Sequence, residues 1–198
     1  MYTINTEIFS DINTELQAYV LAWFWSRGSG HIQVHKKDAD ILYTIRNLID
    51  YTGPIGIYNN VADLNISNRD FLNCLQVAGC VNNCRCTQIF PIISETQFPH
   101  FIRGIFDSYG RIIISKNKYL NVSITYDESF IQSLRDYLLH NLNIKTKHYY
   151  RYSHTNTIQM MITATPCARK FLNWLYLDAN YYLERKFQKW QEYLQKGV

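Results

Sequence analysis

The chain has 198 residues, of which 47% are hydrophobic and 15% aromatic, and a formal net charge of +4; that apolar content excludes a disordered chain and is ample for a core. The N-terminal stretch MYTINTEIFSDINTEL has no basic segment followed by an apolar run, and no uncharged apolar stretch of about 20 residues occurs, so neither a secretory signal nor a membrane span is expected and the protein is read as intracellular. Residues 1–94 hold 6 Lys/Arg against 8 Asp/Glu, whereas residues 98–198 hold 14 against 7, so the placement of charge in the second half matters more than the sum.

The first expected element is a helix over 14–26, where Ala18, Ala22 and Ser26 recur four apart among Leu21, Trp23, Phe24 and Trp25. That spacing puts the small residues on one stripe. It ends at Arg27 and Gly28. A strand at 30–36 follows, then a helix at 39–51 stopped by Gly53-Pro54, strands at 55–59 and 62–67, and a helix at 68–78. One strand is expected to be shortened or missing after residue 36. Cys74, Cys80, Cys84 and Cys86 form C-x5-C-x3-C-x-C, unlike the C-x2-C pairs of zinc ribbons; free thiols are the main reading and a structural zinc the weak one.

The stretch 90–100, bracketed by Pro91 and Pro99, reads as a connector, with a linker at 91–99 dividing halves 1–90 and 100–198. Beyond it, FIRGIFDSYGRIIIS (101–115) repeats the earlier pattern of apolar helix, mid-face small residue, glycine and β-rich run. Gly104 matches Ala22, Ser108 matches Ser26 and Gly110 matches Gly28. A single repeat at that separation indicates a duplicated half rather than a solenoid. The second half predicts a helix at 99–108, strands at 110–116 and 119–125, and a helix opened by Asp127 and Glu128 that runs to 141. Strands at 145–152 and 156–163, a helix from Pro166 to 176, and a last helix at 178–195 complete it. Both halves read as α+β, with helices on one face of an antiparallel sheet.

Alternation separates two faces of these strands. Leu120, Val122 and Ile124 point inward; Tyr119, Asn121, Ser123 and Thr125 point outward. Ile158, Met160 and Ile162 point inward; Thr157, Gln159, Met161 and Thr163 point outward. Lys145, Lys147, Tyr149 and Arg151 share one face of their strand and are read as outward, with Arg111 and Ser115. Arg and Lys can reach phosphates or guanine edges, and Asn and Gln can pair with adenine. A polar face is ordinarily only solvated, but such a face normally contains acids, and these predicted strands contain none. In the first half His31, Gln33 and His35 alternate outward, and Asp63 is placed on the same side.

YVLAWFWSRG (19–28), HFIRGIFDSYG (100–110) and the C-terminal run FLNWLYLDANYYLERKFQKW (171–190) together resemble the LAGLIDADG homing endonucleases in their single-chain, two-motif form. The resemblance implies two pseudo-symmetric α-β-β-α-β-β-α halves, the first abbreviated, whose antiparallel sheets form a saddle. It implies that the two motif helices pack together, with Ala18, Ala22, Gly28, Gly104, Ser108 and Gly110 as the motif-helix interface. In family nucleases the acid before each motif glycine holds divalent metal. Here Arg27 and Tyr109 occupy those positions, and neither binds magnesium as a carboxylate does. Asp107 matches an earlier, usually structural acid.

The reading favoured is a catalytically inactive, homing-endonuclease-like protein that binds double-stranded DNA through its sheets, with a regulator as the expected role. The residues expected at DNA are Arg27, Arg111, Asn121, Lys145, Lys147, Tyr149, Arg151 and Gln159. No cofactor is expected. Three alternatives stay open: an active endonuclease using Mg2+ at a displaced site around Asp107, an RNA maturase, and a protein-interaction module with DNA binding lost. The basic tail residues Arg185, Lys186, Lys189 and Lys196 leave room for a protein partner, or are simply solvated while Tyr182, Phe187 and Trp190 pack. A monomer with two internal halves is expected.

Overall fold

A computed structural model of the chain describes residues 2–80, 91–146, 148–151 and 156–196, with 148–151 described by backbone alone. The chain forms two compact units. Unit 1 is Met1–Ile105 with Asn180–Glu184, and unit 2 is Phe106–Ala179 with Arg185–Val198. The division falls inside a helix, not at the proline-bracketed stretch 91–99.

In unit 1, helix α1 (Glu15–Arg27) begins at a capping box: the Thr14 side chain accepts the Gln17 N–H and Gln17 returns a bond to the Thr14 N–H. Every residue from Ala18 to Ser26 is buried, as expected of a helix apolar on all sides. The helix stops at Gly28, whose left-handed backbone (φ 62°, ψ 26°) lets its N–H reach the Phe24 and Trp25 carbonyls. Strand β1 (His31–His35), a 3-10 turn (Lys36–Asp38), helix α2 (Asp40–Leu48), strands β2 (Gly56–Tyr58) and β3 (Val61–Asn65), and helix α3 (Arg69–Val77) follow. The sheet has the order β1-β3-β2, all antiparallel. Ile32, Ala62 and Leu64 are buried on one face, as are Leu42, Ile45, Phe71 and Leu75 of the helices. Phe24 meets Phe71 edge-on at 5.4 Å.

Helix α4 (Phe98–Tyr109) carries the chain from unit 1 into unit 2. Strands β4 (Gly110–Ile114) and β5 (Leu120–Asp127), helix α5 (Glu128–Leu142), strands β6 (His148–Arg151) and β7 (Thr157–Ile162), and helices α6 (Thr165–Tyr176) and α7 (Glu184–Gln195) complete it. The four-stranded antiparallel sheet has the order β4-β5-β7-β6. Val122, Ile124, Ile158, Met160 and Ile162 are buried on one face, and the helices contribute Ile131, Leu134, Leu138, Phe171 and Leu175 to the same core.

Among the described residues unit 1 has one strand fewer than unit 2, but the gap is not where the spacing places it. The series β1-α2-β2-β3-α3 matches β5-α5-β6-β7-α6 in chain order, and β1-β3-β2 repeats the order and polarity of β5-β7-β6. Among the described residues the strand without a counterpart is therefore β4, before β1 rather than after residue 36.

The last helix starts at Glu184 rather than 178. Asp178 takes a left-handed conformation (φ 56°), and the N–H groups of Asn180 and Tyr181 donate to the Glu15 carboxylate, so they are not available to a helix.

Candidate nucleic-acid interface

The motif helices meet within unit 1. A Cβ on Gly104 would lie 2.5 Å from the Tyr19 carbonyl oxygen and 2.6 Å from the Ala22 Cβ, a spacing that only glycine permits. Trp25 and Phe101 pack edge to face at 5.5 Å. Ala18 and Ala22 are fully buried, and Ser108 is half-buried. Gly28 and Gly110, expected at this interface, act instead at the chain reversals: Gly28 as the left-handed cap, Gly110 by leaving room for the Phe106 ring and carbonyl of its own helix.

Beside this contact, Arg103 is fully buried. Its guanidinium donates to Glu15 Oε1 (2.6 Å), the Tyr181 carbonyl (2.7 Å) and His100 Nδ1 (2.8 Å), and lies 5.3 Å from the Tyr19 ring centre. Burial opposes charge on Glu15, but bonds from the Asn180 side chain, from the Asn180 and Tyr181 N–H groups and from Arg103 together hold its carboxyl below the usual range. Burial, then the neighbouring Arg103, lowers the His100 pKa, with Glu15 opposing.

The two motif helices close their C-termini differently. Helix α1 has its left-handed glycine. Helix α4 has no such cap, and Lys186, 6% exposed on α7, donates to the carbonyls of Phe106 (2.5 Å), Asp107 (2.8 Å) and Gly110 (2.7 Å). A cation suits the negative end of a helix. Lys186, one of the charges that the sequence places on a basic tail, is interior. Asp107 is 1% exposed, and its Oδ1 accepts the Tyr176 hydroxyl at 2.8 Å. Arg27 and Tyr109 are the last residues of their helices. Arg27 Nη2 donates to the Gln33 carbonyl (3.2 Å), and the Tyr109 ring meets Tyr126 edge-on at 5.0 Å.

The outward face of unit 2's sheet follows from register. Arg111 pairs with Ser123, Ser123 with Met161, and Thr125 with Gln159, whose side-chain amide donates to Thr125 Oγ1 (3.3 Å). Arg111 is exposed, and Asn121, Thr125 and Gln159 are half-buried. Ser123, expected outward, is 1% exposed because it lies on an interior strand between Arg111 and Met161. Strand β5 also runs two residues further than expected and takes in Asp127. That carboxylate does not add an acid to the face: it is 6% exposed and caps α5 through the Ser129 and Phe130 N–H groups.

The expected basic strand is corrected in two ways. Strand β6 begins at His148, and Lys145 lies exposed in the preceding connection. Asn143 ends α5 in a left-handed cap, the Ile144 N–H returns to the Leu138 carbonyl, and Arg135 Nε donates to Thr146 Oγ1, so 143–146 are tied to the helix. The register then sets Tyr149 opposite Met160 and Arg151 opposite Ile158, positions of the covered row; Tyr150 and His148 are level with Gln159 and Met161. Lys147 lies outside the described residues. Lys116 and Lys118, which alternation cannot place on a face, stand exposed in the β4–β5 turn beside Tyr119, itself 62% exposed. Their signal was the Lys-Asn-Lys sequence at a turn.

On unit 1's sheet Asp63 does share the outward row: it pairs with Gln33 and lies 3.5 Å from His31 Nε2. That face is less suited to a polyanion. Burial raises the Cys74 pKa, and burial with Cys74 as neighbour raises that of Cys80. Cys84 and Cys86 lie outside the described residues. Among the described residues no group of three His, Cys, Asp or Glu could hold a metal ion, and no helix is long and apolar enough to cross a membrane.

No protein-family model and no curated protein matches the chain. Solved structures do. The I-LtrWI LAGLIDADG homing endonuclease, bound to target DNA, superposes with a TM-score of 0.65 at 10% identity, covering 91% of this chain and 89% of that one. The N-terminal LAGLIDADG domain of DUF199/WhiA gives 0.55 at 14%, covering 86% and 89%. Full-length DUF199/WhiA from Thermatoga maritima gives 0.56 at 16%, covering 98% of this chain and 65%, just under two thirds, of that protein. The chain has the LAGLIDADG fold.

Proposed function

We propose that this protein binds double-stranded DNA through the outward face of unit 2's sheet and does not cleave it, occupying its site as a regulator would. The observation that carries the reading is the row Arg111, Asn121, Thr125 and Gln159, which offers donors and acceptors for base edges and phosphates and adds no exposed acid. Exposed Lys116 and Lys118 extend it with phosphate-binding charge. The likeness to an endonuclease solved on its target DNA supports DNA as the ligand. Loss of cleavage is supported by Arg27 and Tyr109 at the ends of the motif helices, and by an Asp107 carboxyl that is buried and engaged by Tyr176.

The test is fluorescence anisotropy with mixed duplex DNA in EDTA at 50–200 mM salt. Binding should weaken linearly in log–log form, and Arg111→Ala should reduce the slope by about one. No binding at low salt sinks the reading and leaves a protein-contact role. Preferential competition by structured RNA would move the function to RNA. Cleavage in Mg2+ that Asp107→Asn abolishes would restore the displaced-site nuclease.

A further inference from the structure

Among the described residues strand β1 is an edge strand, whereas its counterpart β5 is not. The Lys36 N–H bonds to Asn60 O and the Ile66 N–H to Gly30 O, so in the β1–β3 register the even residues of β1 make the ladder bonds. In an antiparallel pair the intervening residues turn their N–H and C=O groups the other way. Those of His31, Gln33 and His35 therefore point to the outer edge. Unit 2 shows what belongs there. The Glu128 N–H bonds to Asn156 O and the Ser115 N–H to Tyr119 O; with the registers of β5, its even residues bond to β7 and its odd residues to β4. Aligned on the equivalent closing bonds from Lys36 and Glu128, Gln33 falls level with Thr125, one residue beyond Ile124, the partner of Gly110.

In unit 1 side chains from the end of α1 stand at that edge instead. Arg27 Nη2 donates to the Gln33 carbonyl at 3.2 Å, and Ser29 Oγ accepts the His31 N–H at 3.3 Å. We propose that Arg27 is an edge-holding residue: its guanidinium bonds the outward-turned Gln33 carbonyl, one residue beyond the level at which a counterpart of β4 would begin to pair, and so fixes the strand that presents His31, Gln33 and His35. The motif position that ends helix α1 thereby serves the sheet, independently of whether DNA is bound. A planar guanidinium with several donors suits a carbonyl approached from a helix end.

The experiment is amide hydrogen exchange on the free protein with Arg27→Met, which keeps the stem and removes the donors. The Ile32 and Val34 amides, which bond to β3, should exchange about tenfold faster, because a charged donor no longer holds the outer side of the strand. The Val122 and Ile124 amides of unit 2 should not change. Unaltered exchange in β1 overturns the proposal, and a DNA salt slope lowered by about one in the same variant would then make Arg27 a phosphate contact. Because exchange is read without DNA, failure of the DNA reading leaves this result interpretable. Should the variant not fold, the wild-type protein decides: a scalar coupling by NMR across the hydrogen bond from the Arg27 guanidinium to the Gln33 carbonyl supports the bond, and free rotation of the guanidinium overturns it.

Discussion

Gly104 lies so close to Tyr19 that the Cβ it lacks would stand 2.5 Å from the Tyr19 carbonyl oxygen. The neighbour is backbone in the middle of a buried helix, so no side-chain rotation relieves it. Gly104→Ala should destabilise the protein by about 1–3 kcal/mol through overpacking, although alanine is the better helix former by about 1 kcal/mol. Urea denaturation reads this directly. Ala22→Gly in the same chain should fail to rescue it, because the carbonyl clash remains. Rescue would mean that the Ala22 methyl, not the backbone, sets the spacing.

Lys186→Met should cost about 2–4 kcal/mol, because three carbonyls at the end of α4 lose a charged donor together. Tyr176→Phe, which removes one bond to Asp107, should cost about 1 kcal/mol. The comparison of urea midpoints separates a helix cap from simple packing: a Lys186→Met loss near zero, below that of Tyr176→Phe, would show that Lys186 acts through its stem alone.

These two residues also show why the sequence stops short. Helices α1 to α6 and the strands are legible because their apolar spacing is local, and the matched small residues and glycines announce the duplication. Arg103, Glu15 and Lys186 carry no such signal: their partners are remote in sequence and a buried charge looks like a solvated one until the fold pairs it. Register is equally hidden. The alternation of Lys145, Lys147, Tyr149 and Arg151 is visible, but which row meets Met160 depends on where the Asn143 cap releases the chain. The missing strand was legible as a deficit, and only strand polarity says which one is gone.

The Glu15–Arg103–His100 cluster gives unit 1 a pH dependence of one sign. His100 resists protonation when folded, its pKa lying below the ordinary 6.5; the unfolded chain binds that proton first, so stability falls as pH drops below about 6.5. Glu15 is held below the ordinary 4.5. Its contribution is complete above that value and is lost as pH falls through the lowered folded pKa. Urea midpoints should decline from pH 7 to 4, and His100→Asn should flatten the upper part of the decline. Glu15→Gln should lower stability by about 3–5 kcal/mol at pH 7, because it leaves the fully buried Arg103 without its carboxylate. A midpoint independent of pH in the wild type would contradict both shifts.

The β4–β5 turn offers a test of how DNA is approached. The Ser115 hydroxyl accepts the Tyr119 N–H at 3.0 Å and the Lys118 N–H reaches the Ser115 carbonyl at 2.9 Å, so the turn is held by its own bonds. Lys116 and Lys118 are exposed on it, and replacing both by alanine should leave folding nearly unchanged. If the turn tracks the phosphate backbone, that double variant should lower the salt slope of duplex binding by up to about 2 while weakening all sequences alike. Gln159→Ala, by contrast, should keep the slope and narrow the gap between preferred and random duplexes by about 1–3 kcal/mol per base pair no longer read. A turn variant that changes preference without changing slope would assign Lys116 and Lys118 to base edges and leave the phosphates to other residues.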